Sequence, residues 1–128
     1  MTPTIKTITV NSINTEIEKM KLVKNTLEIF MMRNPQSIQE EIFLKYIEFQ
    51  NAAAVASYFN DAGYRLKCDN GRMERKYISN DITALLNNSY DVSFGSKALY
   101  LLAKNLYYFY KGKVRWNYIV KICEDIMI

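Results

Sequence analysis

Five basic side chains are concentrated in one short segment of the sequence. They are Arg65, Lys67, Arg72, Arg75 and Lys76. Within the segment only Asp69 and Glu74 oppose them. Clustered Lys and Arg attract a phosphate backbone, because binding releases the counterions that surround it. The segment therefore indicates either phosphate contacts, which we favour, or a solvated hairpin edge whose charges discourage the addition of another strand.

A short polar helix is predicted directly after the basic segment, and its side chains can read bases. In a helix that begins at Ser79, the spacing places Asn80, Thr83, Ala84 and Asn87 on the solvent face. Asn can pair bidentately with adenine, and Thr or Ala can contact the methyl group of thymine. We expect Asn80, Thr83 and Asn87 either to read an A·T-rich site or to be ordinary surface residues.

A second group of cations belongs to a helix predicted from Ser96 to about Tyr110. One polar sector of this helix contains Lys97, Lys104, Tyr108 and Lys111. Three interpretations remain open. The sector can follow phosphates, with tyrosines that stack on a single strand. The Tyr-rich helix and Trp116 can instead form a dimer interface. The third interpretation, which we favour, is a core helix with tyrosines at its rim.

The excess of basic over acidic side chains is confined to the second half of the chain. Residues 1–60 hold six basic and six acidic side chains, whereas residues 62–121 hold eleven basic and four acidic ones, a net charge of +7. The whole chain has a formal net charge of +4. An anionic partner is therefore expected at the second half.

Catalytic and metal-binding residues are scarce. The chain has no histidine, which removes the commonest general base and the usual zinc ligand. No Gly-rich phosphate loop occurs. Cys68 and Cys123 lack C-x-x-C spacing, so reduced thiols are expected, with a single disulfide as the alternative. We expect no enzyme, no metal and no cofactor.

The first half of the chain predicts two helices after a short segment of period 2. Residues 4–10 alternate Thr with Ile or Val, which predicts an edge strand or an ordered arm. A helix follows from Ile13 and ends at Asn34-Pro35. Its predicted inner side consists of Ile13, Ile17, Met20, Val23 or Lys24, Leu27 and Phe30. Ser37 and Glu40 have the spacing of a capping box, so a second helix starts there.

The second half predicts further helices and a hairpin. Asn51 can cap a third helix that Gly63 ends. The Asp69-Asn70-Gly71 turn then predicts a hairpin between residues 64–68 and 73–78. Ser79 and Ser96 can each cap a helix, and a terminal helix follows Gly112.

Part of this segment resembles a known type of DNA-binding element. The matching residues are Ala54-Val55-Ala56, Phe59-Asn60, Gly63-Tyr64-Arg65 and Tyr77-Ile78-Ser79-Asn80-Asp81-Ile82, with Leu85 and Leu86. They resemble helix-turn-helix segments of bacterial and phage regulators, most of all those of serine recombinases. The resemblance implies a serine-capped helix in the major groove. The chain departs from the compact motif in its longer connection and in Asp81, which would repel phosphate.

These observations predict a single, mainly α domain of five to six helices with a short β-hairpin, of helix-turn-helix or winged-helix type. Its predicted parts are residues 1–11 (arm or edge strand), 12–50 (helical scaffold), 51–88 (DNA-binding element) and 96–128 (C-terminal helices and dimer interface). We expect a cytoplasmic, dimeric protein that binds double-stranded DNA as a transcriptional regulator or accessory factor of phage or mobile-element type. The alternative is a protein-binding module or small inhibitor that docks a protein partner through the Tyr-rich helices. No segment is apolar enough to predict a membrane span.

Overall fold

A computed structural model describes residues 6–127 of the chain. It contains α1 (Val10–Met31), α2 (Ile38–Phe49), α3 (Ala52–Asp61), β1 (Leu66–Cys68), β2 (Met73–Arg75), α4 (Ser79–Asn87), α5 (Lys97–Tyr110) and α6 (Trp116–Met127). Short 3-10 helices lie at Asp69–Gly71 and Val92–Phe94. Six helices and one two-stranded antiparallel hairpin confirm the mainly α fold.

The segment before α1 does not form the edge strand that alternation predicted, as far as the structure describes it. Residues 1–5 lie outside the described part, and residues 6–9 contain no strand. The helix instead begins at Val10, because Thr9 caps it and accepts a hydrogen bond from the Ser12 amide at 3.1 Å. Ser12 returns the hydrogen bond by accepting from the Thr9 amide at 2.9 Å. This reciprocal cap overrides the period-2 pattern.

The predicted inner side of α1 is wrong in its first half. Ile13, Ile17 and Met20 are 42%, 41% and 48% exposed. The buried residues are Glu16, Val23, Thr26 and Phe30. The reason lies in α6, whose Trp116 indole donates to the Glu16 carboxylate at 3.3 Å and so turns this polar residue inward.

Helix α2 lies at the centre of the core and contacts α1, α3, α4 and α5. The Phe43 side chain is completely buried and meets the Phe94 and Tyr100 rings edge to face, with centroids 5.9 and 5.7 Å away. Tyr46, which is 1% exposed, makes a similar contact with Tyr107 at 6.0 Å. Aromatic packing therefore joins α2 to α5 and to the loop before it.

The Glu40 side chain does not complete the predicted capping box. Ser37 does cap α2 by accepting from the Glu40 amide at 3.1 Å. The Glu40 carboxylate, however, accepts two hydrogen bonds from Arg33 at 2.9 and 3.0 Å and one each from the amides of Gln36 (3.1 Å) and Ser96 (2.9 Å). The hydrogen bond from Arg33 holds the pKa of Glu40 below its ordinary value. This buried carboxylate thus connects the link after α1 to the start of α5.

The predicted turn signals after α2 are confirmed. The Asn51 side chain accepts from the Ala54 amide at 2.9 Å and caps α3. Gly63 ends that helix with φ of +89°, a left-handed conformation that glycine adopts without strain. The hairpin follows, with Leu66 paired to Arg75 and Cys68 to Met73. Asn70 and Gly71 supply its left-handed turn.

The two C-terminal helices pack against each other. Helix α5 also contacts α2 in the core, and α6 also contacts α1. Ser96 caps α5 as predicted, accepting from the Leu99 amide at 3.2 Å. Both cysteines are free thiols, so the disulfide alternative is wrong. Burial raises the pKa of the Cys123 thiol, which keeps it protonated in the core.

Candidate nucleic-acid interface

Asn60 of α3 binds the backbone that connects the hairpin to α4. The Asn60 carboxamide donates to the Tyr77 carbonyl at 2.9 Å and accepts from the Tyr77 amide at 2.8 Å. The Tyr77 ring is buried and lies 5.5 Å from the Phe59 ring. Because the backbone amide and carbonyl of Tyr77 are both hydrogen-bonded to α3, the chain that leaves the hairpin enters α4 at a fixed position.

Asp81, not Ser79, stabilises the start of α4. The N-cap residue is Ile78, whose amide donates to the Asp81 carboxylate at 2.8 Å. Arg75 donates to both oxygens of the same carboxylate at 2.7 and 2.9 Å. The hydrogen bond from Arg75 holds the pKa of Asp81 below its ordinary value. The prediction of a Ser79 cap was therefore wrong, because Ser79 is already the first residue of the helix and the Asp81 carboxylate binds the amide of the preceding N-cap residue.

The outward face of α4 carries the predicted polar residues. Ile82 and Leu86 are buried, whereas Asn80, Ala84 and Asn87 are exposed. Thr83 is half-buried because it lines a cleft of about 400 Å³ that also contains Tyr107, Tyr110 and Lys111. A second cleft on the other flank of α4 is lined by Leu66 of the hairpin. The asparagine face thus lies between α5 and the hairpin.

The hairpin cations fall into two groups. Arg75 is paired with Asp81, and Arg65 donates to the carbonyls of Asn60 at 3.2 Å and Tyr64 at 2.6 Å. Lys67, Arg72 and Lys76 are exposed and form no ion pair with any described side chain. Of the five predicted phosphate contacts, these three are the ones that the structure leaves available. Arg65 and Arg75 have structural partners that sequence spacing did not indicate.

The lysines of α5 lie against aromatic rings. Lys97 is placed over the Tyr90 ring at 5.7 Å and Lys111 over the Tyr107 ring at 5.0 Å. Lys104 donates to the Tyr100 hydroxyl at 2.9 Å and to the Asn88 carbonyl at 3.2 Å, just after the end of α4. Since Lys111 lies near the start of α4, the two helices run in opposite directions side by side. Lys104 and Lys111 therefore border α4, whereas Lys97 lies at the far end of α5.

The tyrosines of α5 serve mainly in packing. Tyr100 is buried, and Tyr107 and Tyr108 are half-buried. Only Tyr110, at the end of the helix, is strongly exposed, by 75%. Trp116 is half-buried and hydrogen-bonded to Glu16. This arrangement agrees with a core helix that has tyrosines at its rim.

Three cations that the sequence pattern did not indicate have no side-chain partner within residues 6–127. Lys113, Arg115 and Lys121 are exposed and form no ion pair, hydrogen bond or ring contact through their side chains with the described residues. Their positions in the link after α5 and on α6 gave no periodic pattern. The excess of basic residues after residue 110 is the feature that could have indicated them.

No protein-family profile, curated protein or solved structure matches this chain significantly. Among residues 6–127, no three His, Cys, Asp or Glu side chains come together to hold a metal ion. Within the same residues, no helix has both the length and the apolar character needed to cross a membrane.

Proposed function

We propose that the protein binds double-stranded DNA with α4 in the major groove and the hairpin on the phosphate backbone. The observation that carries this proposal is the position of α4 between two basic borders. Asn80 and Asn87 face outward from it, Lys111 lines the cleft on the α5 side, and Lys76 is exposed in the link that leads from the hairpin into the helix. The pairing of Arg75 with Asp81 supports the proposal, because it neutralises the one acid on α4 that would repel phosphate.

The size and chemistry of α4 suit this role. With its side chains an α-helix is about 10–12 Å across, which fits the roughly 12 Å width of the major groove, and the nine residues of α4 extend about 13 Å along its axis. Asn80 and Asn87 can each pair bidentately with adenine, and Ala84 and Thr83 can contact thymine methyl groups. An A·T-rich site is therefore expected.

The arrangement is a helix-turn-helix variant in which α3 supports the reader and the hairpin acts as a wing. Lys67, Arg72 and Lys76 are its phosphate contacts. A winged helix that instead reads with α3 is less suitable, because the exposed face of α3 presents Ala53 and Ser57. These residues offer little base-reading chemistry.

The biological role that fits this chemistry is that of a small transcriptional regulator or accessory factor, of the phage or mobile-element type suggested by the resemblance. A single nine-residue reader helix contacts few base pairs. Two copies on a two-fold operator would double that number, so we propose binding as a dimer.

A salt-titrated mobility-shift assay tests DNA binding. We expect wild-type protein to shift random duplex at about 50 mM salt, with affinity that falls steeply as salt rises. Single-stranded DNA serves as the comparison and should bind less well. Absence of any shift with duplex at that salt concentration would overturn the proposal.

Selection from a randomised duplex library tests the role of α4. Wild-type protein should enrich A·T-rich sites, and Asn80→Ala or Asn87→Ala should relax the preference at one position by about 1–3 kcal/mol. Ser57→Ala, on the exposed face of α3, is the matched control and should leave the preference unchanged. If Ser57→Ala changes the selected sequence and the asparagine variants do not, α3 is the reader.

A further inference from the structure

A groove lies between α5 and α6. Two adjoining clefts form it, with volumes of about 480 and 710 Å³, and both are lined by Asn105 and Tyr118. On α5 its lining residues extend from Lys97 to Tyr108. These two residues are eleven positions apart, which corresponds to about 16 Å along the helix.

One half of the groove is apolar. Its lining includes Ala98, Leu101, Ile122 and Ile126. Leu101 is 39% exposed and Tyr118, at the middle of the groove, is 49% exposed. The two charged residues here, Lys97 and Asp125, have opposite signs and contribute no net charge. This half offers contact area to aliphatic side chains.

The other half is strongly basic. Lys113, Arg115 and Lys121 line it, with no acidic residue among its lining residues. These are the three cations whose side chains lack a partner in residues 6–127. Three unpaired cations beside an apolar surface complement a ligand that is apolar at one end and acidic at the other.

The side chain at the junction is polar and nearly buried. Asn105 is 9% exposed, and its amide nitrogen donates to the Leu101 carbonyl at 2.8 Å. This hydrogen bond fixes the orientation of the carboxamide within its own helix. A ligand that crosses from the apolar half to the basic half passes this group.

We propose that the groove between α5 and α6 binds an acidic amphipathic helix of a partner protein. The helix places aliphatic residues, spaced three and four apart, on Leu101 and Ile122, and its carboxylates meet Arg115 and Lys121. A segment of about ten residues matches the length of the groove. The residues involved are separate from Lys67, Arg72 and Asn80, so this proposal does not depend on DNA binding.

A single-stranded nucleic acid suits the groove less well, because phosphates would have to cross its apolar half. A second copy of the chain is also a poorer match. The exposed apolar stripe of α1 belongs to a helix whose three glutamates are balanced by three lysines, and two of these form ion pairs, Glu16 with Lys19 at 3.1 Å and Glu18 with Lys21 at 3.4 Å. It therefore presents no excess of acid to the cations of the groove.

Panning a displayed library of random 16-residue peptides on the full chain tests the proposal. We expect enrichment of peptides with aliphatic residues spaced three and four apart and acidic residues towards one end. A synthetic copy of the best peptide, followed by fluorescence anisotropy, should bind at least tenfold more weakly to Leu101→Asp and to Arg115→Glu. Lys121→Glu, at an exposed site, provides the same test if Leu101→Asp does not fold.

Matched controls on α1 separate a groove effect from a general effect of charge. Ile29→Asp and Lys24→Glu change exposed residues of the same types and should leave peptide affinity unchanged. Enrichment of no peptide, or peptide binding that the controls weaken as much as the groove variants, overturns the proposal. If no peptide is enriched, and a 20-residue oligothymidylate binds to wild type but more weakly to Arg115→Glu, the partner is nucleic acid instead.

Discussion

The first turns of α2 and α4 each contain a carboxylate that a preceding arginine binds bidentately, but the two pairs have different surroundings. Arg33 donates to Glu40 at 2.9 and 3.0 Å, and Arg75 donates to Asp81 at 2.9 and 2.7 Å. The Glu40 side chain is 1% exposed and the Asp81 side chain 16%. Glu40 also accepts from the nearby Gln36 amide and from the Ser96 amide, 56 residues away, whereas within residues 6–127 the only backbone amide that donates to Asp81 is that of the local Ile78.

Because of this difference, the Arg33–Glu40 pair mainly stabilises the fold, whereas the Arg75–Asp81 pair mainly sets the charge of a surface. Removal of a buried carboxylate leaves its donors unsatisfied, which costs several times more than removal of an exposed one. The Arg75–Asp81 pair contributes less to stability, because water competes for both groups. Its main effect is on the charge next to the outward face of α4.

The largest expected effect follows from Glu40→Gln. The new amide group would face the Arg33 guanidinium and backbone donors, so the free energy of unfolding should fall by about 3 kcal/mol. Urea denaturation measures the change. Glu48→Gln is the control. Its carboxylate pairs with Lys45 and is more exposed than that of Glu40, so the variant should cost under about 0.5 kcal/mol. Equal losses in the two variants would contradict a structural role for Glu40.

Gly95→Ala tests the same junction from the opposite side. Gly95 has φ of +88°, and an added Cβ would collide with the Glu40 carboxylate. We expect a loss of about 2–3 kcal/mol, part from the backbone and part from the collision. Gly112→Ala has φ of +75° and open space around the new Cβ, so it reports the backbone part alone, about 1 kcal/mol. Thermal denaturation measures both losses. A larger loss of stability in Gly112→Ala than in Gly95→Ala would exclude the collision.

Asp81→Asn should lower the free energy of unfolding by less than the preceding variants do, and it should raise the affinity for duplex DNA. Loss of the ion pair and weakening of the cap should cost about 1 kcal/mol. The released Arg75 and the missing negative charge should strengthen duplex binding severalfold. Urea denaturation and fluorescence anisotropy with duplex DNA measure the two changes. Asp91→Asn, whose carboxylate accepts from the Ser93 amide away from α4, is the control. Weaker DNA binding by Asp81→Asn alone would mean that Arg75 must stay paired.

The smallest expected effect is on the pH dependence of stability, to which both carboxylates contribute. Both have folded pKa values below their ordinary values of 4.5 for Glu40 and 3.8 for Asp81. Their stabilisation is therefore complete above those values and is lost as pH falls through the lower folded pKa, since the unfolded chain binds protons first. Urea denaturation between pH 7 and about pH 3 should show a shallower acid loss for Glu40→Gln than for wild type. The same acid loss in both proteins would exclude Glu40 as a contributor.

Local signals predicted much of the fold. Asn51, Gly63 and Ser96 act at helix ends as expected, and Asp69-Asn70-Gly71 forms the hairpin turn. Each of these effects depends on hydrogen bonds or backbone angles within a few residues. Such information is present in a short window of sequence.

Contacts between distant segments were not predictable in this way. Glu40 accepts from Ser96, 56 residues later, and Glu16 accepts from Trp116, 100 residues later. The second contact explains why α1 turns a glutamate inward and leaves Ile13 exposed. On α1 two neighbouring stripes satisfied helical spacing, and only the position of α6 decided between them.

The candidate site shows the same division. Spacing correctly placed Asn80 and Asn87 on the exposed face of α4. It did not indicate that Arg75 pairs with Asp81, because that contact depends on how the hairpin meets the helix. Counting charges alone therefore overestimated the number of available hairpin cations.

The salt dependence of duplex affinity tests the central proposal most directly. The variants are Lys67→Gln/Arg72→Gln/Lys76→Gln and, as a charge-matched control on α1, Lys19→Gln/Lys21→Gln/Lys24→Gln. If the three hairpin cations contact phosphates, the slope of log K against log salt should decrease in magnitude by about 2.7 in the hairpin variant and stay unchanged in the control. Equal slopes for wild type and the hairpin variant, or wild-type binding without salt dependence, would contradict DNA binding through the hairpin.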